Sequence, residues 1–349
     1  MKKLSILLLT LCLFSVNTLA YGPRGHQLVG AIADKRLAKN QAVAKKIRDL
    51  LDGLTLAQVA NFPDGIKDWD DCNGPANNAP VTNKTRINEE LRAFHDANPC
   101  SSHPYHRDFH FTDVPVFGDE EYADGQTGGQ FGVGRNEFDI VQLIPFCIRV
   151  LRGDEPENNS RAITKSVAVI LLAHYLGDIH QPLHVGAEYF NADGDVFEPS
   201  NNDKGFADQG GGKLTLWTFV NGKLKSAGKF HGYWDGQTVD NAFGQTANTT
   251  VAKRLAAQEP SDWQLSGATE TWAEQMANDI LPLAREAHAR LTFEHINITA
   301  GAHDIKSGQA KEKHKPGDQF YALWAANVVK NEIQKGGWRL AALLEQTLQ

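Results

Sequence analysis

The chain has 349 residues and carries 35 lysine and arginine residues against 42 aspartate and glutamate residues, a formal net charge of −7. This acidic balance excludes a protein that holds nucleic acid on a broad basic surface. Any phosphate chemistry would need a local cationic centre, which metal ions could supply.

The first twenty residues have the pattern of a secretory signal peptide. Lys2 and Lys3 precede the apolar stretch 4–14, and Ala20 is a small residue at the expected cleavage site. The apolar stretch is too short to span a bilayer, and the sequence has no other membrane candidate. We therefore expect a mature chain that begins at Tyr21, is secreted or periplasmic, and does not associate with membranes; an uncleaved anchor is the alternative.

No repeat or low-complexity linker divides residues 21–349, so we expect one domain. Apolar residues at helical spacing predict helices, in chain order, over 26–37, 56–69, 162–179, 230–243, 268–291 and 318–348. Thr55 fits as an N-cap of the second helix. The third is apolar on all sides, as a central buried helix would be. A small hairpin around Asn221-Gly222, residues 213–220 and 223–225, is the only predicted β-structure. The fold class is therefore mainly α, a single-domain multi-helix bundle.

Two stretches, 70–107 and 186–212, predict long loops, which in a compact domain are usually either functional or disordered. Cys72 and Cys100 flank the Pro- and Asn-rich part of the first loop and could form a disulfide in an oxidising compartment. Cys147 lies in an apolar run, which predicts a buried free thiol.

The strongest chemical signal is a motif at the end of the predicted central helix. His174 and Asp178 are four residues apart, so they project from one face, and His184 follows the helix-ending Pro182. Imidazole nitrogen and carboxylate oxygen are common zinc ligands, and burying either without a partner is costly. The motif indicates a metal site, with a hydrogen-bonded core pair as the alternative.

Four further motifs carry the same residue types. His231 and Asp235 repeat the spacing on another predicted helix, where they could also be a surface pair. His26 closely follows the expected cleavage site, and the freed α-amino group of Tyr21 would have a pKa low enough to bind a metal near neutral pH. Of the other two motifs, one contains Asp64 and Lys67. The other contains His110, Phe111 and Asp113.

Taken together and in this order, the motifs resemble the zinc-dependent single-strand nucleases of the S1/P1 type, which share a fold with zinc phospholipases C. The resemblance covers most of the chain from Tyr21 to the segment that follows Trp338. It implies three Zn²⁺ ions. The first would be bound by Asp64, His110, His174 and Asp178. The second would be bound by the amine and carbonyl of Tyr21, by His26 and by Asp178, and the third by His184, His231 and Asp235.

The resemblance also implies an endonuclease that cleaves single-stranded DNA and RNA to 5′-phosphorylated products and acts on nucleotides as a 3′-nucleotidase. Asp64 would orient the attacking water or accept its proton. Lys67 stands where the family usually has an arginine beside the phosphate. Phe111 and Asp113 would hold a nucleobase, although Phe111 could equally be an ordinary core residue. We expect a monomer.

Some residues depart from the family pattern or compete for these roles. Tyr21 replaces the usual tryptophan, and Gly212 replaces an asparagine near the cleft. His110 is preferred as a ligand because Phe111 and Asp113 follow it in family order; the competing loop histidines are His95, His103 and His106. His180 is expected to be a surface residue or to lie behind the ligands. Two alternative functions stay open: a zinc-dependent phospholipase C, and a non-catalytic periplasmic protein that binds zinc.

Overall fold

A computed structural model describes residues 21–349 except 71, 73–74, 127–129 and 300. The expected signal peptide, residues 1–20, lies outside the described residues. The α-helices are α1 (Gly22–Leu37), α2 (Gln41–Leu50), α3 (Leu56–Val59), α4 (Phe62–Gly65), α5 (Thr85–Ala97), α6 (Ile140–Arg152), α7 (Lys165–Asp178), α8 (Phe230–Gly232), α9 (Thr238–Phe243), α10 (Asn248–Ala257), α11 (Trp272–Ala289) and α12 (Tyr321–Thr347). Short 3₁₀ helices cover His106–His110, Pro182–His184 and Thr269–Thr271, and a π-helical turn covers Tyr233–Gln237.

The strands are β1 (Val114–Pro115), β2 (Gly186–Ala187), β3 (Tyr189–Phe190), β4 (Phe206–Ala207), β5 (Leu214–Val220), β6 (Lys223–Lys229), β7 (Leu291–Ile298) and β8 (Ile305–Glu312). The pairs β1–β2 and β3–β4 are two-residue ladders. The remaining four strands form one sheet in the order β6-β5-β8-β7. The protein is thus mainly α, as the sequence predicted.

The central helix α7 organises the core. The side chain of Thr164 caps its first turn by accepting from the Val167 backbone nitrogen at 3.2 Å, and every residue of α7 after Lys165 is buried. Helices α1, α5, α6 and α12 pack around it. A helix buried on all sides has no polar face, which is why its sequence lacks amphipathic periodicity. The buried polar residues at its C-terminal end therefore require partners that compensate for their burial.

The predicted helix over 56–69 is divided in two. Thr55 caps α3 as expected, in a capping box with Gln58. Pro63 disfavours a continuous helix because it has no backbone N–H to donate in a helix interior. Instead a new short helix, α4, begins at Phe62, where Pro63 falls in the first turn. The break turns Asp64 toward α7.

The sheet is larger than the predicted hairpin. Asn221 and Gly222 both have positive φ, as a two-residue turn between β5 and β6 requires. However, the expectation of no other β-structure was wrong, since β7 and β8 extend the sheet and β8 pairs in parallel with β5. The buried face of β8 carries Gly308, Ala310 and Glu312, so the alternation of apolar side chains that signals a strand is missing.

The first predicted loop also contains regular structure. Within 70–107 the helix α5 places Ile87, Leu91 and Phe94 on its buried face, so the prediction of an unstructured loop there was wrong. Cys72 and Cys100 form a disulfide across this segment, with a Cα–Cα distance of 6.3 Å. Cys147 is a buried free thiol, as predicted. Among the residues that the structure describes, no helix is both long and apolar enough to cross a membrane.

Candidate metal centre

The predicted ligands come from seven separate segments and meet at the C-terminal end of α7. Tyr21 and His26 belong to the start of α1, and Asp64 to α4. His174 and Asp178 lie on the last turn of α7. The other four are His110 and His184 at the ends of 3₁₀ helices, His231 in α8 and Asp235 in the π-helical turn.

Asp178 is the hub of this arrangement. Its Oδ2 lies 3.0 Å from His110 Nδ1 and 3.1 Å from His174 Nε2. Its Oδ1 faces the other way, 3.3 Å from His26 Nε2. Asp64 Oδ1 lies 3.6 Å from His174 Nε2. The two oxygens of one carboxylate therefore belong to two neighbouring groups of ligand atoms.

A further group forms beside the first two. His231 Nε2 lies 3.1 Å from His184 Nε2 and 3.5 Å from Asp235 Oδ2. The second oxygen of Asp235, Oδ1, accepts from the Tyr21 backbone nitrogen at 3.2 Å and from the Gln181 amide at 2.9 Å. Gln181 was not predicted to contribute, although it stands inside the motif that contains His174 and His184. Its bond fixes Asp235 so that Oδ2 faces His231.

Backbone carbonyls orient three of the imidazole rings. The Nδ1–H groups of His174, His184 and His231 donate to the carbonyls of Ala60, His110 and Gly210 at 2.6, 2.8 and 2.8 Å. Each bond fixes the neutral tautomer whose Nε2 lone pair is free for a metal. The sequence therefore positions the ligands through the backbone of the segments around α7.

Close packing fixes the ring of His26. A Cβ atom added at Gly177, on the last turn of α7, would lie 2.5 Å from His26 Nδ1. Any side chain at this position would push the ring away from Asp178. The position of the His26 ring therefore requires a glycine at residue 177.

Buried polar atoms without hydrogen-bond partners converge here. Among the described residues these include His26 Nε2, Asp64 Oδ2, Asp178 Oδ1 and Asp235 Oδ2. Leaving such a group unsatisfied costs about 1–3 kcal/mol. Ligand atoms about 2.0–2.1 Å from one tetrahedral zinc ion lie about 3.3 Å from each other, and the separations given above, 3.0–3.6 Å, bracket that value. The donor set and its spacing fit bound divalent cations.

The pKa shifts of most of the ligands favour metal binding; at His174, burial lowers the pKa, but the charges of Asp178 and Asp64 raise it overall. Burial lowers the pKa of His110 and of His184 to about 3, so both imidazoles are neutral near pH 7. Burial alone would raise the pKa of Asp64, but the Lys67 ammonium and three imidazoles lower it below its usual range. In contrast, burial raises the pKa of Asp235 to about 7. Protons therefore compete for Asp235 near neutral pH, more than for the other carboxylates.

A cleft of about 350 Å³ opens onto these ligands. Lys67 lies in its wall with Nζ 2.7 Å from Asp64 Oδ1. Phe111 and Asp113, both half-buried, line the same cleft, as does Gly212. Burial, with Asp208 and other nearby carboxylates, raises the pKa of Asp113 well above its usual range. Arg107, which the sequence did not single out, also lines the cleft.

The competing histidines lie elsewhere. His103 is exposed, whereas His95 and His106 are buried beside Asp70 and form a separate cluster. His180 is not a surface residue: its Nδ1–H donates to the Leu176 carbonyl at 2.8 Å and its Nε2 accepts from Arg339 at 3.1 Å. A sequence offset of two from Asp178 indicates a different direction but not whether that direction is solvent.

A mainly α fold with a cleft over clustered histidine and aspartate side chains fits the class of metal-dependent hydrolases. The family profile described as S1/P1 Nuclease matches residues 21–349. Similar proteins include Endonuclease 4 of Arabidopsis thaliana, 23% identical over 340 residues, which are 95% of this chain and 90% of the relative. Endonuclease 5 of the same plant is 23% identical over 339 residues, 95% of this chain and 91% of the relative. The chain belongs to the S1/P1 nuclease family, whose members are metal-dependent and hydrolyse phosphodiester bonds of nucleic acids.

Proposed function

We propose that this protein is a secreted, zinc-dependent endonuclease that cleaves single-stranded DNA and RNA to 5′-phosphorylated products and removes 3′-phosphates from nucleotides. The observation that carries the proposal is the convergence of buried, unpartnered nitrogen and oxygen atoms on one cleft. In this acidic protein, cations bound at these atoms would add to the positive charge of Lys67 and Arg107 and so attract phosphate to the cleft.

Three zinc ions match the three groups of donors. Asp64, His110 and His174 would hold the first with Asp178 Oδ2, and His26 with Asp178 Oδ1 would hold the second. His184, His231 and Asp235 would hold the third. After signal cleavage the nitrogen of Tyr21 would be a free amine and a further ligand. Zinc, when bound, supplies a Lewis acid that lowers the pKa of water and offsets phosphate charge.

The chain's own residues would then position the reactants. Asp64 is ionised, and its Oδ2, which has no hydrogen-bond partner among the described residues, can accept a hydrogen bond from the attacking water and orient it. Lys67 neutralises Asp64 and presents its ammonium group to a phosphate oxygen from the cleft wall. As a point charge it would orient the phosphate less tightly than a bidentate arginine. Arg107 adds a second positive group on the same wall.

The shape of the cleft supports a preference for single strands. About 350 Å³ suits one nucleotide rather than a stacked duplex. An unpaired base can turn into such a pocket at little unstacking cost. The ring of Phe111 can stack on any base. Burial raises the pKa of Asp113, which favours the protonated carboxyl that can donate one hydrogen bond to a base edge. Neither contact reads sequence strongly, which fits a nuclease of broad specificity.

The disulfide supports an extracellular or periplasmic location. Bonds such as Cys72–Cys100 persist in oxidising compartments and are rare in the cytosol. This agrees with the signal peptide that the first twenty residues predict. We expect the mature protein to act as a monomer, since one chain contributes all the proposed ligands.

Product analysis tests the proposal. The mature protein, starting at Tyr21, is stripped with a chelator, reloaded with zinc, and given a single-stranded oligonucleotide, the same strand annealed to its complement, RNA, a 3′-nucleotide and phosphatidylcholine. We expect zinc-dependent 5′-nucleotides from the single strands, much slower cleavage of the duplex, release of phosphate from the 3′-nucleotide, and intact lipid. Lipid hydrolysis without nucleotide release, or no turnover by the zinc-loaded protein, would overturn it.

A further inference from the structure

A second group of metal-ligand side chains lies outside the centre described above. Asp70 follows α4, His95 lies on the last turn of α5, and His106 begins the first 3₁₀ helix. Their side chains are only 9%, 7% and 1% exposed. None of the three contributes to the candidate metal centre, and the sequence alone assigned them no role beyond that of loop residues.

The distances within this group are those of ligands, not of hydrogen bonds. Asp70 Oδ2 lies 3.8 Å from His95 Nε2 and 3.5 Å from His106 Nε2. None of these three atoms has a hydrogen-bond partner among the described residues. Atoms that share one tetrahedral zinc ion are about 3.3 Å apart. A single ion between them would satisfy all three buried atoms at once.

Hydrogen bonds to neighbouring groups leave His95 Nε2 and Asp70 Oδ2 free to bind an ion. His95 Nδ1 lies 3.0 Å from Asp96 Oδ1, so its N–H can donate there while Nε2 keeps a lone pair toward Asp70. This carboxylate–imidazole pairing is typical of metal-binding histidines. The other oxygen of Asp70, Oδ1, accepts from the Cys72 backbone nitrogen at 3.2 Å. Cys72 is itself in a disulfide and offers no thiolate.

We propose that Asp70, His95 and His106 form a structural zinc site, separate from the catalytic centre, with water as the fourth ligand. Its three ligands come from the start of the 70–107 segment, from α5 and from the end of the segment. The ion would therefore connect these three parts, in the same region as the disulfide. Arg107 follows His106 directly and donates to the Lys67 carbonyl. The ion would thereby hold the cleft wall that carries Lys67 and Arg107.

Anomalous X-ray diffraction tests the site directly and needs no variant. Crystals of the zinc-loaded protein are measured above and below the zinc absorption edge. We expect an anomalous peak about 2.0–2.1 Å from Asp70 Oδ2 and the two Nε2 atoms. The catalytic centre would give separate anomalous peaks, so its zinc occupancy is measured independently of the site at Asp70. Full occupancy of the catalytic centre with no peak at Asp70 would overturn the proposal.

Ion counting in solution adds a matched comparison. His106→Asn and Asp70→Asn should each bind one zinc ion fewer per chain than the wild type, as counted after gel filtration. His103→Asn is the control, because His103 lies in the same segment with a side chain that is 87% exposed; it should bind as many ions as the wild type. Equal counts in all four folded proteins, judged by circular dichroism, would contradict a site at Asp70.

Discussion

Replacing Asp178 by asparagine should cost the protein two zinc ions, whereas replacing Asp235 should cost one. The two oxygens of Asp178 face different groups, one toward His26 and the other toward His110 and His174. Asparagine keeps the shape but has only one oxygen and no charge. In Asp235 only Oδ2 faces an imidazole, that of His231, because Oδ1 is occupied by hydrogen bonds.

The difference can be expressed as zinc-induced stability. At a free zinc concentration 100-fold above Kd each bound ion adds about 2.7 kcal/mol to the free energy of unfolding. The three catalytic ions would contribute about 8 kcal/mol, of which Asp235→Asn would retain about 5 kcal/mol and Asp178→Asn about 3 kcal/mol. An ion at Asp70 would add about 2.7 kcal/mol to the wild type and to both variants alike. The comparison is made within each variant, with and without zinc. Any cost of the substitution to the metal-free fold therefore cancels.

Urea unfolding with and without zinc, together with metal analysis, measures both quantities. Asp49→Asn serves as the control, because Asp49 is an exposed carboxylate whose side chain is 62% exposed and which pairs with Lys45. It should leave the ion count and the zinc-induced stability unchanged. If Asp178→Asn lost a single ion, or no more than Asp235→Asn, Asp178 would not connect two centres.

Further changes address the cleft and the segment beside it. Phe111→Ala should remove about 1–3 kcal/mol of base stacking and raise KM for an oligonucleotide but not for an abasic one; an equal rise for both would rule out stacking. Burial, with Asp208 and other nearby carboxylates, raises the pKa of Asp113, so its protonated, hydrogen-bond-donating form persists to a higher pH than in a free aspartate and is lost as pH rises through the raised pKa. Because an amide keeps its donor at every pH, Asp113→Asn should remove the rise in KM with increasing pH, measured in a pH series beside Asp113→Ala; a KM that depends on pH as in the wild type would contradict this. Lys67→Gln should lower kcat/KM about 10- to 100-fold, the loss of one charge-assisted contact, and an unchanged value in steady-state assays would remove Lys67 from phosphate binding. Cys72→Ser opens a bridge between positions 28 apart in sequence and should cost about 3.5 kcal/mol of stability in urea unfolding; a stability equal to that of the wild type would refute this estimate.

The sequence predicted the parts of the fold whose residues carry a strong local pattern. The apolar run of α7, the cap at Thr55 and the turn at Asn221 are all local signals, and each is found in the structure. The mainly α class followed from them. The spacing of His174 and Asp178 also placed both side chains on one face of a helix, as the structure has them.

The rest depended on tertiary contacts. The strand β8 is buried through Gly308 and Ala310, whose small side chains give no alternation to read. Asp70, His95 and His106 are separated by up to 36 positions, and only the packing of α5 brings them together. Of the two alternatives for His180, the surface position was wrong because the buried guanidinium of Arg339, which lies near the other end of the chain, covers it. Patterns over a few residues do not contain such long-range contacts.

The position of α1 has a consequence for when the enzyme can act. Helix α1 carries His26 and packs along α12, which ends at Thr347. The first ligand to emerge during synthesis therefore reaches its final place only after the last helix has been made. A chain that still lacks α12 therefore lacks the packing that holds α1, and with it His26, at the candidate metal centre. With the proposed activity on RNA, this order would protect messenger RNA and ribosomes until synthesis is finished.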